Sequence, residues 1–469
     1  MNRYKKLVSD TFVFSLGSFS SKILSVLLLK LVTSHMSEDA YSVATKIQTL
    51  INLLGPVASL SLADSVLRFG LDKSLSRKKV YSTAVTSSLI SMAIGMIFLA
   101  VIASIAGFKQ YTGLMMVFMF TSEFRWIQQQ HLKAKDYIKL YTVDSLLSVV
   151  SLVLFTLLFM VVFKLDITGY ILSIIMSDLL SILFLMYFGN IRKDFSFSEF
   201  DPAIKSRMFR YSLPLIPTAV LWWIVSSSDL FLVSKFLGDT VNGLYSCAYR
   251  IPALISFVSV IFFRAWQMSA ITQYGTDEYR QYYSKVMSAY SAIMFVGSTG
   301  IMLLIQPLTM LLTGEKFWES YKMAPFLIIA SLMQSFCNFL SGIYNAAGRN
   351  EKSFYTSLVA ALTNIVLNIV LIPMVGVQGA AFATMTAYVV CFFIRLKDTR
   401  SLVGYKVEWE KLIINSVIIL FMAVIILTDA AFMKVWLFIG FLAACAVNAP
   451  LLIQTAKKLM HRDGDTADA

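Results

Sequence analysis

Apolar stretches of helical length follow one another along the whole chain, at residues 12–33, 41–67, 82–106, 111–130, 140–163, 168–188, 211–236, 244–268, 286–312, 323–346, 354–373, 376–394, 412–428 and 434–454. A helix needs about 20 apolar residues to cross a bilayer. Each run is therefore a candidate span, and the pattern predicts an all-α, polytopic membrane protein with about fourteen transmembrane helices. A transmembrane barrel would show alternating segments of about ten residues instead. Buried helices of a soluble protein also read as apolar strings, but such a succession of them would leave no polar surface for water.

Composition agrees with the pattern. Of the 469 residues, 58% are hydrophobic and 14% charged, and the mean hydropathy is +0.72. Soluble domains carry about 25% charged residues, so a compact soluble enzyme is excluded. The formal net charge of +13 would suit a nucleic-acid partner in a soluble protein; here its placement tells against one. With the N-terminus inside, the outer connections hold Lys109, Lys164, Lys235, Lys316, Lys322 and Lys434. Lys22, Lys30, Lys46, Arg125 and Arg250 fall within or at the edges of spans, and the other 29 of the 40 Lys and Arg lie on the inner side. Basic residues concentrate on the cytoplasmic side of membrane proteins, so both termini are expected to be cytoplasmic. The first run is too long for a cleavable signal and lacks a small-residue cleavage site, and is expected to act as an uncleaved anchor. Cys247, Cys337, Cys391 and Cys445 fall in helices without paired spacing and read as small core residues.

The chain also echoes itself. Tyr41-Ser42-Val43-Ala44-Thr45-Lys46-Ile47 matches Tyr245-Ser246-Cys247-Ala248-Tyr249-Arg250-Ile251 at an offset of 204. Lys135-Asp136…Tyr141-Thr142 pairs with Arg349-Asn350…Tyr355-Thr356, and Ile167-Thr168-Gly169 with Val377-Gln378-Gly379, at offsets of 214 and 210. The copies begin at spans 2 and 8, so the unit is six spans. An even number keeps both copies in the same orientation and predicts two lobes related by an axis along the membrane normal, with substrate between them. The expected organisation is a first lobe over 1–190, a cytoplasmic amphipathic linker over 191–209, a second lobe over 210–398, and two further spans with a cytoplasmic tail over 399–469. In and around the linker, Phe195, Phe197, Phe200, Met208 and Phe209 predict a strip resting on the inner leaflet.

With the duplicated motif in view, the chain resembles the Wzx-type polysaccharide flippases of the multidrug/oligosaccharidyl-lipid/polysaccharide exporter superfamily. In that family the second lobe typically opens with an aspartate, an apolar run and Gly-x-x-x-x-Gly-x-Tyr-x-x-Ala. Here these are Asp229, Gly238, Gly243, Tyr245 and Ala248, followed by Arg250. Ser21-Lys22-Ile23-Leu24 and Gly376-Val377-Gln378-Gly379-Ala380-Ala381 are also similar to the family. Related lipid II flippases carry several arginines in the first lobe's spans; lysines stand at 22 and 46 here, which points away from lipid II. The resemblance implies export of an undecaprenyl-pyrophosphate-linked oligosaccharide across a bacterial cytoplasmic membrane. It also implies lobes that rock between inward-open and outward-open states, coupling to an H⁺ or Na⁺ gradient, no resident cofactor, and polysaccharide polymerase and chain-length machinery as partners beside the membrane lipids.

Such a substrate needs cations for its diphosphate and hydrogen-bonding groups for its sugars. Lys22 lies near mid-span, where a charge is costly and marks a functional site by default, and Ser15, Ser18 and Ser25 share its helix face. Lys46 and Arg250 occupy equivalent places in the two repeats. They either receive the diphosphate or snorkel to the interface and pair with Asp39 and Asp239. Polar stripes run through Gln48 and Asn52 of span 2, Gln334, Asn338, Ser341 and Asn345 of span 10, and Ser357, Asn364 and Asn368 of span 11. They suit a hydrated sugar passage, or else hydrogen-bonding between packed helices. Asp229, Asp144, Glu123 and Asp178 are candidates for binding a coupling ion, with a Glu123–Arg125 ion pair as the alternative for Glu123. Pro214 and Pro217 beside Trp222-Trp223 predict a bent span 7. His35, His131 and His461 match no metal or hydrolase motif, and no catalytic residue is expected. A cation-coupled multidrug antiporter of the same superfamily is the nearest alternative, and a membrane polysaccharide polymerase a more distant one.

Overall fold

The computed structural model describes residues 28–276 and 278–465; Lys22 and its serine stripe lie outside them. All regular structure among the described residues is helical. After a helical stretch at 28–35 come α1 (Glu38–Ala58), α2 (Leu62–Gly70), α3 (Arg77–Ile105), α4 (Thr112–Ala134), α5 (Ile138–Thr156), α6 (Ile167–Phe188), α7 (Pro202–Ser212), α8 (Leu215–Leu237) and α9 (Asp239–Ala248). They are followed by α10 (Ala253–Gln273), α11 (Tyr279–Leu303), α12 (Ile305–Leu312), α13 (Pro325–Ala347), α14 (Asn350–Val375), α15 (Val377–Val403), α16 (Trp409–Leu427) and α17 (Met433–Asp465).

Among these, ten helices are long and apolar enough to cross a membrane, and twelve if each of two bent pairs forms one span. The protein is a multi-pass membrane protein. Of the fourteen expected spans, the first falls largely outside the described residues. The fourth is the full-length helix α4, whose Glu123, Arg125 and Gln128–His131 run lower its hydropathy.

The chain divides into two compact units. One comprises Met1–Trp223 with Leu312–Lys316, the other Ile224–Leu311 with Phe317–Ala469. In the first unit, α1 and α2 meet at 56°. The break follows Pro56, and Leu60 and Ser61 take left-handed φ values of 56° and 49°. Non-glycine residues hold that conformation only where their surroundings impose it, and both neighbouring helices do: α1 and α2 pack on α3 and α4. Gly95 of α3 sits against Ala58 so closely that a Cβ there would collide with the alanine's. Residues 312–316 join this unit through Gly314, whose N–H donates to Thr33 Oγ1 at 2.8 Å, and through Lys30, whose Nζ donates to the Thr313 carbonyl.

The segment after α6 is tied to the same unit. Asp194 accepts from Lys135 Nζ at 2.7 Å and lies 3.0 Å from His131 Nε2, while His131 stacks on Tyr81. Ile191, Ile204 and Met208 are buried in the core of α2, α3 and α4, with Phe195 and Phe209 packed on it. The linker's apolar residues thus mostly face the protein rather than the inner leaflet; Phe197 is the exposed one. The helix beyond it is interrupted at Leu213-Pro214, where the prolines of span 7 predict a break.

In the second unit α13 is the most enclosed helix, and α15 packs beside it. Trp266, Phe339, Tyr290 and Phe262 form a continuous stack, and Trp266 Nε1 donates to the Phe339 carbonyl at 2.9 Å. Helices α16 and α17 pack on one another and on α11. Between them Asn415 and Asn448 exchange side-chain hydrogen bonds at 2.8 and 3.3 Å.

Candidate functional site

The second unit holds a fully buried carboxylate. Asp229 projects from α8 and accepts from Tyr245 Oη at 2.7 Å, from Thr384 Oγ1 at 3.2 Å and from Tyr249 Oη; the Leu230 N–H reaches its other oxygen at 3.0 Å. The helix that supplies both tyrosines is the second bent pair, α9 and α10, meeting at 41° just after Tyr249. Amides complete the surroundings. Asn364 Nδ2 donates to Thr384 Oγ1 at 3.1 Å, Asn364 Oδ1 accepts from Ser228 Oγ and from Asn368 Nδ2, and Asn368 Oδ1 is buried and accepts no hydrogen bond. An ionised carboxylate in an apolar bundle needs hydrogen bonds or a cation, and the side chains bonded to Asp229 are hydroxyls, which are neutral. The group is rich in oxygen acceptors, the donor set of a hard cation.

A second polar cluster lies beside it in the same unit. Arg395 is fully buried and donates to Thr356 Oγ1, Ser357 Oγ, and the carbonyls of Cys337 and Ser353. The charge distribution places Arg395 among the inner-side cations; its side chain instead folds back into the bundle.

The first unit solves the same problem with charge. Arg125 Nη1 pairs with Asp178 at 2.8 Å and Nη2 lies 3.8 Å from Asp144. Asp178 also accepts from Ser122 at 2.6 Å, and Asp144 from Gln129 at 2.7 Å and from Ser181. One guanidinium thus serves two carboxylates from α5 and α6. Glu123 is not its partner: in place of the alternative Glu123–Arg125 pair, Ser59 Oγ donates to Glu123 at 2.7 Å, at the α1–α2 break. A Cβ at Gly55 would collide with Glu123 Oε1.

The other expected residues are more dispersed. Lys46 is buried, with Nζ 5.6 Å from the Phe108 ring, whereas Arg250 is exposed. Gln48 is half-buried and Asn52 exposed. Gln334 donates to Tyr388 Oη at 2.8 Å, and Asn338 and Asn345 are half-buried. Asn364 and Asn368, read from the sequence as a sugar passage, are turned into the Asp229 group rather than onto an open face. The sequence stripe of α14 splits in two, since Ser357 serves Arg395. The sequence motifs include Tyr245 and Tyr249 but do not assign them to Asp229, and nothing in the sequence marks Thr384 as its partner.

Comparison with known proteins places these features. The description "Polysaccharide biosynthesis protein" matches residues 7–267, more than half of the chain. The chain belongs to that family. The resemblance to Wzx-type flippases carried by Asp229, Gly238, Gly243 and Tyr245 is borne out, and the family member is a transporter rather than an enzyme. Among curated relatives, the amylovoran biosynthesis protein AmsL of Erwinia amylovora is 22% identical over 302 residues, 62% of this chain and 76% of that one. The probable flippase AglR of Haloferax volcanii is 24% identical over 162 residues, 34% of each chain, so the match spans about a third of AglR. Among solved structures, the lipid II flippase MurJ in an inward closed conformation aligns over 96% of this chain and all of its own, with a TM-score of 0.68 at 17% identity. An inward-facing multidrug transporter of the MATE family covers 81% of this chain and 95% of its own, with a TM-score of 0.66 at 13% identity. The polysaccharide biosynthesis family member therefore shares its fold with both kinds of transporter.

Proposed function

We propose that the protein is a flippase for an undecaprenyl-pyrophosphate-linked oligosaccharide repeat unit, working by alternating access in a bacterial cytoplasmic membrane with both termini inside. Lys22, Lys46 and Arg250 receive the diphosphate. Membership of the polysaccharide biosynthesis family and flippase relatives acting in glycan assembly support this reading over a drug antiporter, which the shared fold alone would equally allow.

The observation that carries the mechanism is the Asp229 group. Asp229 is fully buried among the hydroxyls of Tyr245, Tyr249 and Thr384, and a hydrogen-bond chain runs from Thr384 through Asn364 to Asn368, whose Oδ1 is buried without a donor. Such a group suits a monovalent cation taken up from a gradient. A cation there neutralises the carboxylate and draws α8, α14 and α15 together. Na⁺ suits the amide oxygens, and a proton on Asp229 meets the same electrostatic need with fewer ligands.

The test is export of a labelled lipid-linked oligosaccharide from vesicles with an imposed Na⁺ or H⁺ gradient. Asp229→Asn is expected to remove the gradient dependence, and Lys22→Ala to abolish transport with membrane insertion intact. Normal surface polysaccharide in cells carrying Lys22→Ala would overturn the diphosphate role. Drug efflux in place of glycan export would move the protein to the antiporter class.

A further inference from the structure

The segment between α6 and α8 carries a feature that transport does not use. Its acidic residues are all engaged. Asp194 binds Lys135 and His131, Glu199 lies 3.4 Å from Lys78, and Asp201 caps α7 by accepting from the Ala203 and Ile204 N–H groups, with Lys79 4.0 Å away. Arg207 is drawn to Asp72 at 3.7 Å. Lys205 and Arg210 are left with no carboxylate partner among the described residues; Lys205 Nζ lies 5.3 Å from the Phe209 ring. Both line an open cleft of about 590 Å³ together with Ser206, Phe209, Leu213 and Pro214.

Helix length bears on the depth of this cleft. From Pro202 to Leu237 the chain forms 36 residues of nearly continuous helix. At 1.5 Å per residue that is roughly 54 Å, well beyond the roughly 30 Å hydrocarbon core. The excess lies at the α7 end, where the cations are, so the cleft opens at headgroup level. Its wall and floor are apolar, lined by Phe209, Leu213, Pro202 and Pro214, with Leu213 45% exposed. Two unpaired cations over an apolar floor, at the interface, complement an amphiphile with a single anionic head.

We infer that the cleft at the foot of α7 and α8 is a binding site for one anionic glycerophospholipid of the adjoining leaflet. Lys205 and Arg210 hold the phosphate, Ser206 donates a hydrogen bond to it, and the acyl chain runs along Phe209 and Leu213. The occupant is a bulk lipid rather than the transported one: the site lies on the outside of the first unit's own helices and offers no amide for a sugar.

The experiment uses the full chain in vesicles of phosphatidylcholine with one-fifth phosphatidylglycerol, followed by native mass spectrometry of the retained lipid. The wild type is expected to keep one phosphatidylglycerol, and Lys205→Gln/Arg210→Gln to bind it about thirtyfold more weakly, about fivefold for each cation near the membrane surface. Lys205→Arg is expected to retain binding. Arg210 is exposed and Lys205 half-buried, and neither belongs to the buried core of α2, α3 and α4, so the double variant is expected to fold. Equal retention of phosphatidylglycerol by the wild type and the double variant would overturn the assignment. So would displacement of the bound lipid by a short-chain lipid diphosphate at equal concentration, which would make the cleft a substrate site. Glycan export is a separate readout: its loss in every protein tested, with lipid retention unchanged, would count against the proposed function and leave this site standing.

Discussion

Asn368 donates its Nδ2 to Asn364 Oδ1, one turn away on α14, at 3.0 Å, and its own Oδ1 is buried without a donor. A buried amide oxygen left unsatisfied costs about 1–3 kcal/mol. This oxygen ends a hydrogen-bond chain that runs through Asn364 and Thr384 to Asp229, and under the proposed cation uptake it is a candidate ligand. Asn368→Ala is therefore expected to fold normally and to weaken the stabilising effect of the coupling cation about tenfold or more, one ligand's worth of free energy. Thermal melts of detergent-solubilised protein across a Na⁺ titration measure this. An unchanged Na⁺ midpoint would remove Asn368 from the ion group.

Arg125 stands between two carboxylates, and removing it leaves both buried without a cation. Arg125→Leu is expected to destabilise the first unit by about 3–5 kcal/mol, the usual effect of breaking a buried ion pair from one side. The double variant Arg125→Leu/Asp178→Asn should recover part of that loss. The comparison of their melting temperatures decides it; equal melting of the wild type and Arg125→Leu would mean that the pair holds nothing together.

Gly95→Ala tests the close approach of α3 to the bent helix. Its new Cβ would meet the Ala58 Cβ and lie 3.1 Å from the Ala58 Cα, a backbone atom that cannot rotate away. Overpacking of this kind costs about 1–3 kcal/mol. The expected result is a lowered melting temperature. Gly113, which has open space around it, supplies the control: Gly113→Ala should leave stability unchanged or slightly raised.

Asp194 gives the anchored segment an acid limit. Partial burial pushes its carboxyl up, but hydrogen bonds from His131 and Lys135 and the Lys135 charge hold it below its ordinary value. A depressed carboxyl contributes stability above the unfolded pKa of about 3.9, and loses it as the pH falls through the lower folded value. The wild type should exceed Asp194→Asn in stability at neutral pH, and the gap should close below about pH 4. Proteolytic nicking of the 189–201 segment as a function of pH reads this directly; a gap independent of pH would show that the anchor is not ionic.

The spans were legible because about 20 apolar residues in a row have few other uses, and α4 was recognisable in spite of its charges. The breaks in spans 2 and 8 were not. Apolar periodicity continues through Ser59–Ser61 without a glycine, and the left-handed turn there is imposed by α3 and α4, so it belongs to tertiary packing. Partner choice was equally hidden. Arg125 is two residues from Glu123, yet residues two apart on a helix point to different faces, and the guanidinium reaches α5 and α6 instead. The charge distribution placed Arg395 in an inner loop because side-chain direction, which buries it, leaves no mark on a hydropathy profile. Asp229 was found from its family motif; of the hydroxyls around it, Tyr245 and Tyr249 lie at α9, close by in sequence, while Thr384 comes from α15, 155 residues away.

The reciprocal amides of Asn415 and Asn448 bear on how the end of the chain is made. Either helix alone would present an unsatisfied carboxamide to hydrocarbon, and a slip of one turn would strand both. Helices α16 and α17 are thus expected to partition from the insertion machinery as one hairpin, with depth set by the matched pair. A chain truncated after Leu427 would then be retained or degraded during synthesis, before the question of transport arises.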